Sequence, residues 1–242
     1  MIQKAKVLFG ISLVALLVAG CTPPFDRYML EGQAAMDKNE YDKAKATFHK
    51  AVLEARRSPK AKASLVAALE AEAFCAQSLK QQEDEIKLLE EAAAACKADS
   101  TLGPIRAAKI QKRMGDIEAG AGDEDHAFEY YKRALETLEG AGAAKSVESG
   151  AVYVALGDMN CNRKSYKEAR TYYETGLTMI DDDTSGRTYL EKGAALNKLA
   201  NVYRELGMED AAADLETQAR TGQIAGTRGQ IRKILSGIPG GR

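Results

Sequence analysis

The sequence predicts an all-α chain: a solenoid of about five helix-turn-helix units, with a short capping helix at the C-terminus. Three observations carry that prediction. The 242-residue chain holds 41 Ala against 5 Pro, and Ala is the strongest helix former while Pro is the strongest breaker. One pattern of small and aromatic residues recurs along the chain at nearly constant spacing. Turn signals fall between the copies of that pattern.

Composition narrows the function classes. Charged residues make up 29% and hydrophobic residues 45%, a balance of neither a disordered nor a multi-span membrane chain. The formal charge is −1 and no basic block appears anywhere, which argues against nucleic acid as a partner, since phosphate neutralisation needs clustered Lys and Arg. Two His and four Cys are too few for a His-rich metal site. No cofactor and no metal site are expected.

The first element is an address. Lys4 and Lys6 precede Val7 to Gly20, a 14-residue run without charge. The run is too short to cross a bilayer, which takes about 20 apolar residues, but it fits the apolar core of a signal peptide over residues 1–20. It ends Val18-Ala19-Gly20-Cys21. This stretch resembles a bacterial lipobox, and the resemblance implies that Cys21 becomes the mature N-terminus and carries lipid. Thr22 rather than Asp follows, which by the rule of enteric-type bacteria directs the chain to the periplasmic face of the outer membrane. Losing Lys4 and Lys6 takes the charge from −1 to −3, so net charge gives no reason for added electrostatic attachment. Residues 21–26 form the lipidated Cys and a brief tether, stiffened by Pro23 and Pro24.

Residues 27–220 carry the repeats. Gly32 precedes Ala44, Phe48 and Ala51. Gly115 precedes Ala127, Tyr131 and Ala134. Gly157 precedes Ala169, Tyr173 and Gly176. Each set has a Gly, a small residue twelve positions later, an aromatic four beyond it and a small residue three further on. A fourth copy has Ala200, Ala212 and Ala219, with Glu216 in the aromatic place; a weaker one has Ala73, Glu85 and Leu89. Residues four and three apart share a helix face, so small residues let two helices approach while the aromatic fills the space beside them.

This pattern resembles the tetratricopeptide repeat. The resemblance implies two helices per unit, A and B, stacked into a right-handed superhelix. The helix B anchors Ala44, Glu85, Ala127, Ala169 and Ala212 are 41, 42, 42 and 43 residues apart. The usual period is 34, so each unit carries about two extra helical turns, as in the long-helix variety typified by kinesin light chain.

The punctuation agrees. Ser58-Pro59 and Gly103-Pro104 suit helix starts. Gly140-Ala141-Gly142 and Asp181 to Gly186 separate later units. Asp181-Asp182-Asp183 reads as a solvated loop, because a calcium loop wants Glu at its twelfth place and Lys192 stands there. Residues 221–242 form a Gly-rich tail in which Ile231, Ile234, Leu235 and Ile238 make an apolar stripe. It reads as a capping helix over the last repeat, with a partner- or membrane-docking helix as the alternative.

No catalytic constellation emerges, and the chain is expected not to be an enzyme. His126 sits at a helix start behind acidic residues, and His49 at an outer surface. Cys75, Cys96 and Cys161 remain after lipidation; Cys75 and Cys96 are offset by roughly 10 Å along an antiparallel pair, too far for a bridge. The family resemblance places partner binding on the concave face of the helices A. By repeat phase that face presents Lys109, Lys112, Arg113 and Asp116, then Asp158, Cys161 and Asn162, then Asn197, Asn201 and Arg204. Lys109 and Arg113 match positions that hold a C-terminal carboxylate in chaperone-binding relatives, but Ala71 and Gln33 replace the matching Asn of earlier helices. The expected role is a membrane-anchored scaffold for a protein or peptide partner in envelope assembly (outer-membrane, pilus or secretion machinery). The alternatives are a self-associating structural lipoprotein and a metal-dependent binder or enzyme.

Overall fold

The computed structural model describes residues 23–57, 62–97, 103–180 and 186–236, without the side chains of 186–190 and 223–236. Cys21, Ser58-Pro59 and the Asp181 to Asp183 cluster lie outside the described residues. Ten helices follow one another: α1 (Pro24–Asp37), α2 (Tyr41–Arg56), α3 (Lys62–Ser78), α4 (Gln82–Lys97), α5 (Gly103–Ala121), α6 (Glu124–Gly140), α7 (Val147–Asn162), α8 (Tyr166–Ile180), α9 (Gly186–Glu205) and α10 (Glu209–Ser236). They make five antiparallel hairpins, with odd helices as A and even helices as B. Among the described residues there is no strand, and no helix is long and apolar enough to cross a membrane.

Every A–B turn is built the same way. Asn39, Lys80, Gly122, Lys164 and Gly207 all have φ between 58° and 85°. In the fourth repeat the Lys164 N–H donates to the Cys161 carbonyl at 2.9 Å, and the Ser165 N–H to the Asn160 carbonyl at 2.8 Å. The same two bonds recur in the other four turns. They satisfy carbonyls that the helix end would otherwise leave unpaired. Each turn residue lies five positions before a helix B anchor, so turn and anchor keep one phase through all five repeats.

The hairpins close on the Gly–aromatic pairs. A Cβ at Gly32 would lie 2.6 Å from Phe48, one at Gly115 2.5 Å from Tyr131, and one at Gly157 2.6 Å from Tyr173. The aromatic ring occupies the space a side chain would need. Ala is tolerated at the Gly place only where the residue sixteen later is not aromatic: Ala73 with Leu89, and Ala200 with Glu216. All five helix B anchors are buried, Glu85 included, which puts the second repeat in the register the sequence suggested.

Between hairpins the core is a chain of linked clusters. Val52, Val66, Leu69 and Leu89 join repeats one and two, and Ile110 and Met114 bring in the third. Leu138, Val152 and Leu156 join repeats three and four, and Tyr173, Leu199 and Val202 join four and five. Each large side chain buried this way contributes about 1.5–3 kcal/mol.

Two expectations need correction. α1 begins at Pro24, with Pro23 as its N-cap, because a proline at the first helical position has no N–H to leave unsatisfied. The helical repeats therefore begin at Pro24 rather than at residue 27. α10 runs unbroken from Glu209 to Ser236, so the Gly-rich stretch after Thr221 prolongs helix B and does not start a separate capping helix. His49 is exposed, as expected, and its imidazole has a partner. Its Nδ1 lies 3.1 Å from Glu72 Oε1 of the second repeat, a buried carboxylate whose other oxygen has no hydrogen-bond partner.

Candidate partner-docking surface

In repeats three to five the helices A come closest to one another. α5 packs directly on α7, and α7 on α9, while no pair of neighbouring helices B packs as closely. Helices B are instead bridged by long side chains, such as Lys45 to Asp84 at 2.6 Å and Arg56 to Glu91 at 2.6 Å. The row of helices A is the inner face.

Two carboxylates on that row are held alike. The Tyr131 hydroxyl donates to Asp116 Oδ1 at 2.9 Å, and Lys112 donates to the same carboxylate at 2.8 Å. One repeat on, the Tyr173 hydroxyl donates to Asp158 Oδ1 at 2.6 Å, and Lys198 donates to Oδ2 at 2.5 Å. Each tyrosine is the ring that packs on a glycine, and each aspartate directly follows that glycine. Burial, and then the neighbouring aspartate, push both phenols far above the ordinary tyrosine range, so both hydroxyls stay donors. Where the aromatic is Phe48, which has no hydroxyl, the residue after the glycine is Gln33.

Other charges on this row are matched too. Lys109 reaches Glu148 of the next helix A at 2.9 Å. Burial raises the Glu148 carboxyl, but its hydrogen bond from Lys109 prevails and holds it below the usual range. Arg106 pairs with Glu70 of the preceding one. Arg204 donates to Asn201 at 3.0 Å and pairs with Glu216. Arg113 turns toward the preceding repeat, where it donates at 2.6 Å to Glu85, a side chain only 4% exposed. Arg113 and Asp116 also line an open groove of about 450 Å³ with Gln77, Lys80 and Ile117.

Exposed amides complete the surface. Asn162 and Asn197 are exposed and have no side-chain partner among the described residues. Asn201 has its amide nitrogen uncommitted. Cys161 is half-buried 3.5 Å from the Tyr173 hydroxyl, with its thiol pushed up by burial. Cys75 and Cys96 are buried, and none of the three is bridged. His126 folds back on the N-cap Asp123 at 2.8 Å, and that hydrogen bond raises its imidazole. The arrangement is a helix start, stabilised by its acidic first turn. Among the described residues no cluster of His, Cys, Asp or Glu could hold a metal ion.

The structure carries Lys112, Asp116, Asp158, Asn197 and Asn201 on the helices A and turns Arg113 away to Glu85 of the preceding repeat. Repeat phase does not reveal the partners Glu70, Glu148 and Lys198. Their separations from Arg106, Lys109 and Asp158 are 36, 39 and 40 residues, close to one repeat, and that near-period was the available signal.

One tetratricopeptide repeat model matches residues 148–224 and another matches residues 25–57. The chain is a tetratricopeptide repeat protein. The fold of its repeats is shared with BtubC (BKLC) from P. vanneervenii, at 17% identity and a TM-score of 0.69 over 83% of this chain and 80% of that one. A putative kinesin light chain from Podosopora anserina with nearly identical repeats aligns at 15% identity and a TM-score of 0.60 over 86% and 99%. The apo form of RapI aligns at 12% identity and a TM-score of 0.70 over 82% of this chain and 53% of RapI, so the chain spans about half of RapI's length. A comparison with curated protein sequences returned no match.

Proposed function

We propose that this tetratricopeptide repeat protein is a lipid-anchored docking scaffold. It receives an extended segment of a partner protein on the helix A face of repeats three to five. The observation that carries this reading is the division of labour on that face. Its charges are tied to one another, while the amides of Asn162, Asn197 and Asn201 keep bonding capacity. An amide offers both a donor and an acceptor, the two groups that each residue of an extended backbone presents. Paired charges resist collapse onto a charged ligand and select for backbone contact over charge contact. The Rap conjugation gene regulator of plasmid pLS20, which shares the fold at 16% identity and a TM-score of 0.58, was solved in complex with the Phr* peptide, which supports a peptide as ligand here.

Lipid on Cys21 places the scaffold at the periplasmic face of the outer membrane, in the service of an envelope assembly machine. The lipobox-like Val18 to Cys21 supports that address, and two or more acyl chains give stable anchoring.

Crosslinked pull-down from detergent-solubilised envelopes tests both parts. The wild type is expected to capture a defined partner set. Asn197→Ala with Asn201→Ala should weaken capture about ten-fold, as loss of about 1.4 kcal/mol implies, with helicity unchanged. Undiminished capture by the double variant would remove the groove reading. Mass spectrometry of the mature N-terminus decides the anchor: an unmodified Cys21 would refute it.

A further inference from the structure

The C-terminal helix is unlike every other helix B. α10 has 28 residues, whereas α2, α4, α6 and α8 have 15 to 17. Its hairpin partner α9 has 20. At 1.5 Å per residue, α10 runs about 12 Å, or two turns, past the start of α9. The overshoot covers residues 229–236.

Charge segregates toward the same end of the chain. From residue 217 to the C-terminus there are five Lys and Arg and no Asp or Glu, in a chain that holds 35 acidic residues. Net charge over the whole chain conceals this. Along α10, Ile224, Ile231, Ile234 and Leu235 occupy register positions of one helix face, with Arg228 and Arg232 at its flank. Apolar residues on one face, bordered by basic ones and without acids, are the composition of a helix that lies in a membrane interface.

Topology puts this end in the right place. Helices A and B alternate in direction, so every helix B ends at the edge of the solenoid where every helix A begins. The first turn of α1 at Pro24 and the last turn of α10 at Ser236 share that edge. Cys21 lies three residues before Pro24.

We propose that the protruding end of α10 is a second membrane contact, which docks on an anionic phospholipid surface and holds the solenoid by both ends of one edge. The proposal rests on the anchored reading above only for the orientation it gives the molecule; the affinity of α10 for anionic lipid stands without the anchor. Each Lys or Arg close to an anionic surface strengthens attraction about five-fold, and the apolar face adds insertion.

The absence of Trp from the chain allows a clean test. The full chain carrying Ile231→Trp is mixed with vesicles of phosphatidylcholine, with or without phosphatidylglycerol, whose acyl chains are brominated. The expected result is a blue-shifted, bromine-quenched emission only with phosphatidylglycerol, reversed by high salt. Adding Arg228→Glu, Arg232→Glu and Lys233→Glu should weaken the response at least about a hundred-fold. Equal emission with both vesicle types, or no effect of the charge reversal, would overturn the proposal. So would emission that is already blue-shifted in buffer and indifferent to vesicles, which would mean that the stripe covers the last repeat. A response to an acidic polypeptide but not to vesicles would overturn it in favour of a protein partner. Flotation with pure phosphatidylcholine reads the Cys21 anchor separately, so the two ideas fail independently.

Discussion

Repeats three and four make their hairpins differently from repeats two and five. In three and four, a glycine admits a tyrosine ring, and the ring's hydroxyl ties down the aspartate beside that glycine. In two and five there is an alanine in the glycine place, and Leu89 or Glu216 in the ring's place. Polar contacts take over part of the task there. Glu85 of repeat two is buried against Arg113 of repeat three, and Glu216 of repeat five pairs with Arg204 of its own hairpin. The lesson is that one backbone geometry is held by two chemistries. Close packing works within a hairpin and is insensitive to pH and salt. A buried ion pair can tie neighbouring hairpins together, at the cost of desolvating a carboxylate.

The largest effect should come from removing the ring. Tyr173→Ala is expected to destabilise by about 3–5 kcal/mol in urea unfolding, by loss of burial and the cavity left behind; Glu216→Ala, at the same place in repeat five, should cost under about 1 kcal/mol, as exposed pairs do. Equal costs would erase the distinction between the two kinds of repeat.

Next comes the glycine. Gly157→Ala forces a Cβ to 2.6 Å from Tyr173 and should cost about 1–3 kcal/mol by overpacking. In a variant that already has Tyr173→Leu, the same change should become neutral or favourable, because Ala is the better helix former.

Repeat two has its own test. Arg113→Ala strands the buried Glu85, at a cost of about 2 kcal/mol, below that of a fully buried pair because Arg113 is itself partly exposed. Arg113→Ala with Glu85→Ala should recover part of the loss in thermal unfolding.

A pH signature separates the first junction from the rest. Burial pushes the Glu72 carboxyl above its ordinary value, against the pull of His49, Lys45 and Arg56. Its native state thus binds a proton more readily than the unfolded chain does. Stability from this residue should rise as pH falls from its folded-state value toward about 4.5, and be reduced above that window. Glu72→Gln should flatten that slope and raise Tm slightly at neutral pH; a lower Tm at every pH would show that the pair with His49 is net stabilising.

The smallest effect belongs to the turns. Lys164 holds φ at 58°, a conformation that disfavours any residue with a Cβ. Lys164→Gly should stabilise by about 0.5 kcal/mol, net of the entropy glycine adds to the unfolded chain. Gly207→Lys, in a turn that already has glycine, should do the reverse.

Much of the fold was legible because its determinants are local and repeated. The twelve-four-three spacing of Gly115, Ala127, Tyr131 and Ala134 reports a helix face and a partner helix, both within one hairpin. The pairing of glycine with an aromatic sixteen residues later encodes the hairpin contact directly. The docking face was legible in part. Phase placed Lys112, Asp116, Asp158 and the Asn residues on one row, but it treated their charges as available. Asp158 is held by Lys198, forty residues on, and Arg113 by Glu85, twenty-eight residues back. Such pairs depend on the offset between stacked hairpins, and no single repeat contains that information.

The sequence by itself determined the number of repeats, their two-helix form and the five phase-locked turns, because each depends on contacts spanning fewer than about twenty residues. Tertiary structure alone decided which polar groups on the inner face remain uncommitted, since ion pairing there crosses from one hairpin to the next. It also decided that helix B of the last repeat continues to Ser236 and shares an edge with Pro24. Helix direction reverses nine times between those two points, and only the folded stack brings the two ends to one side.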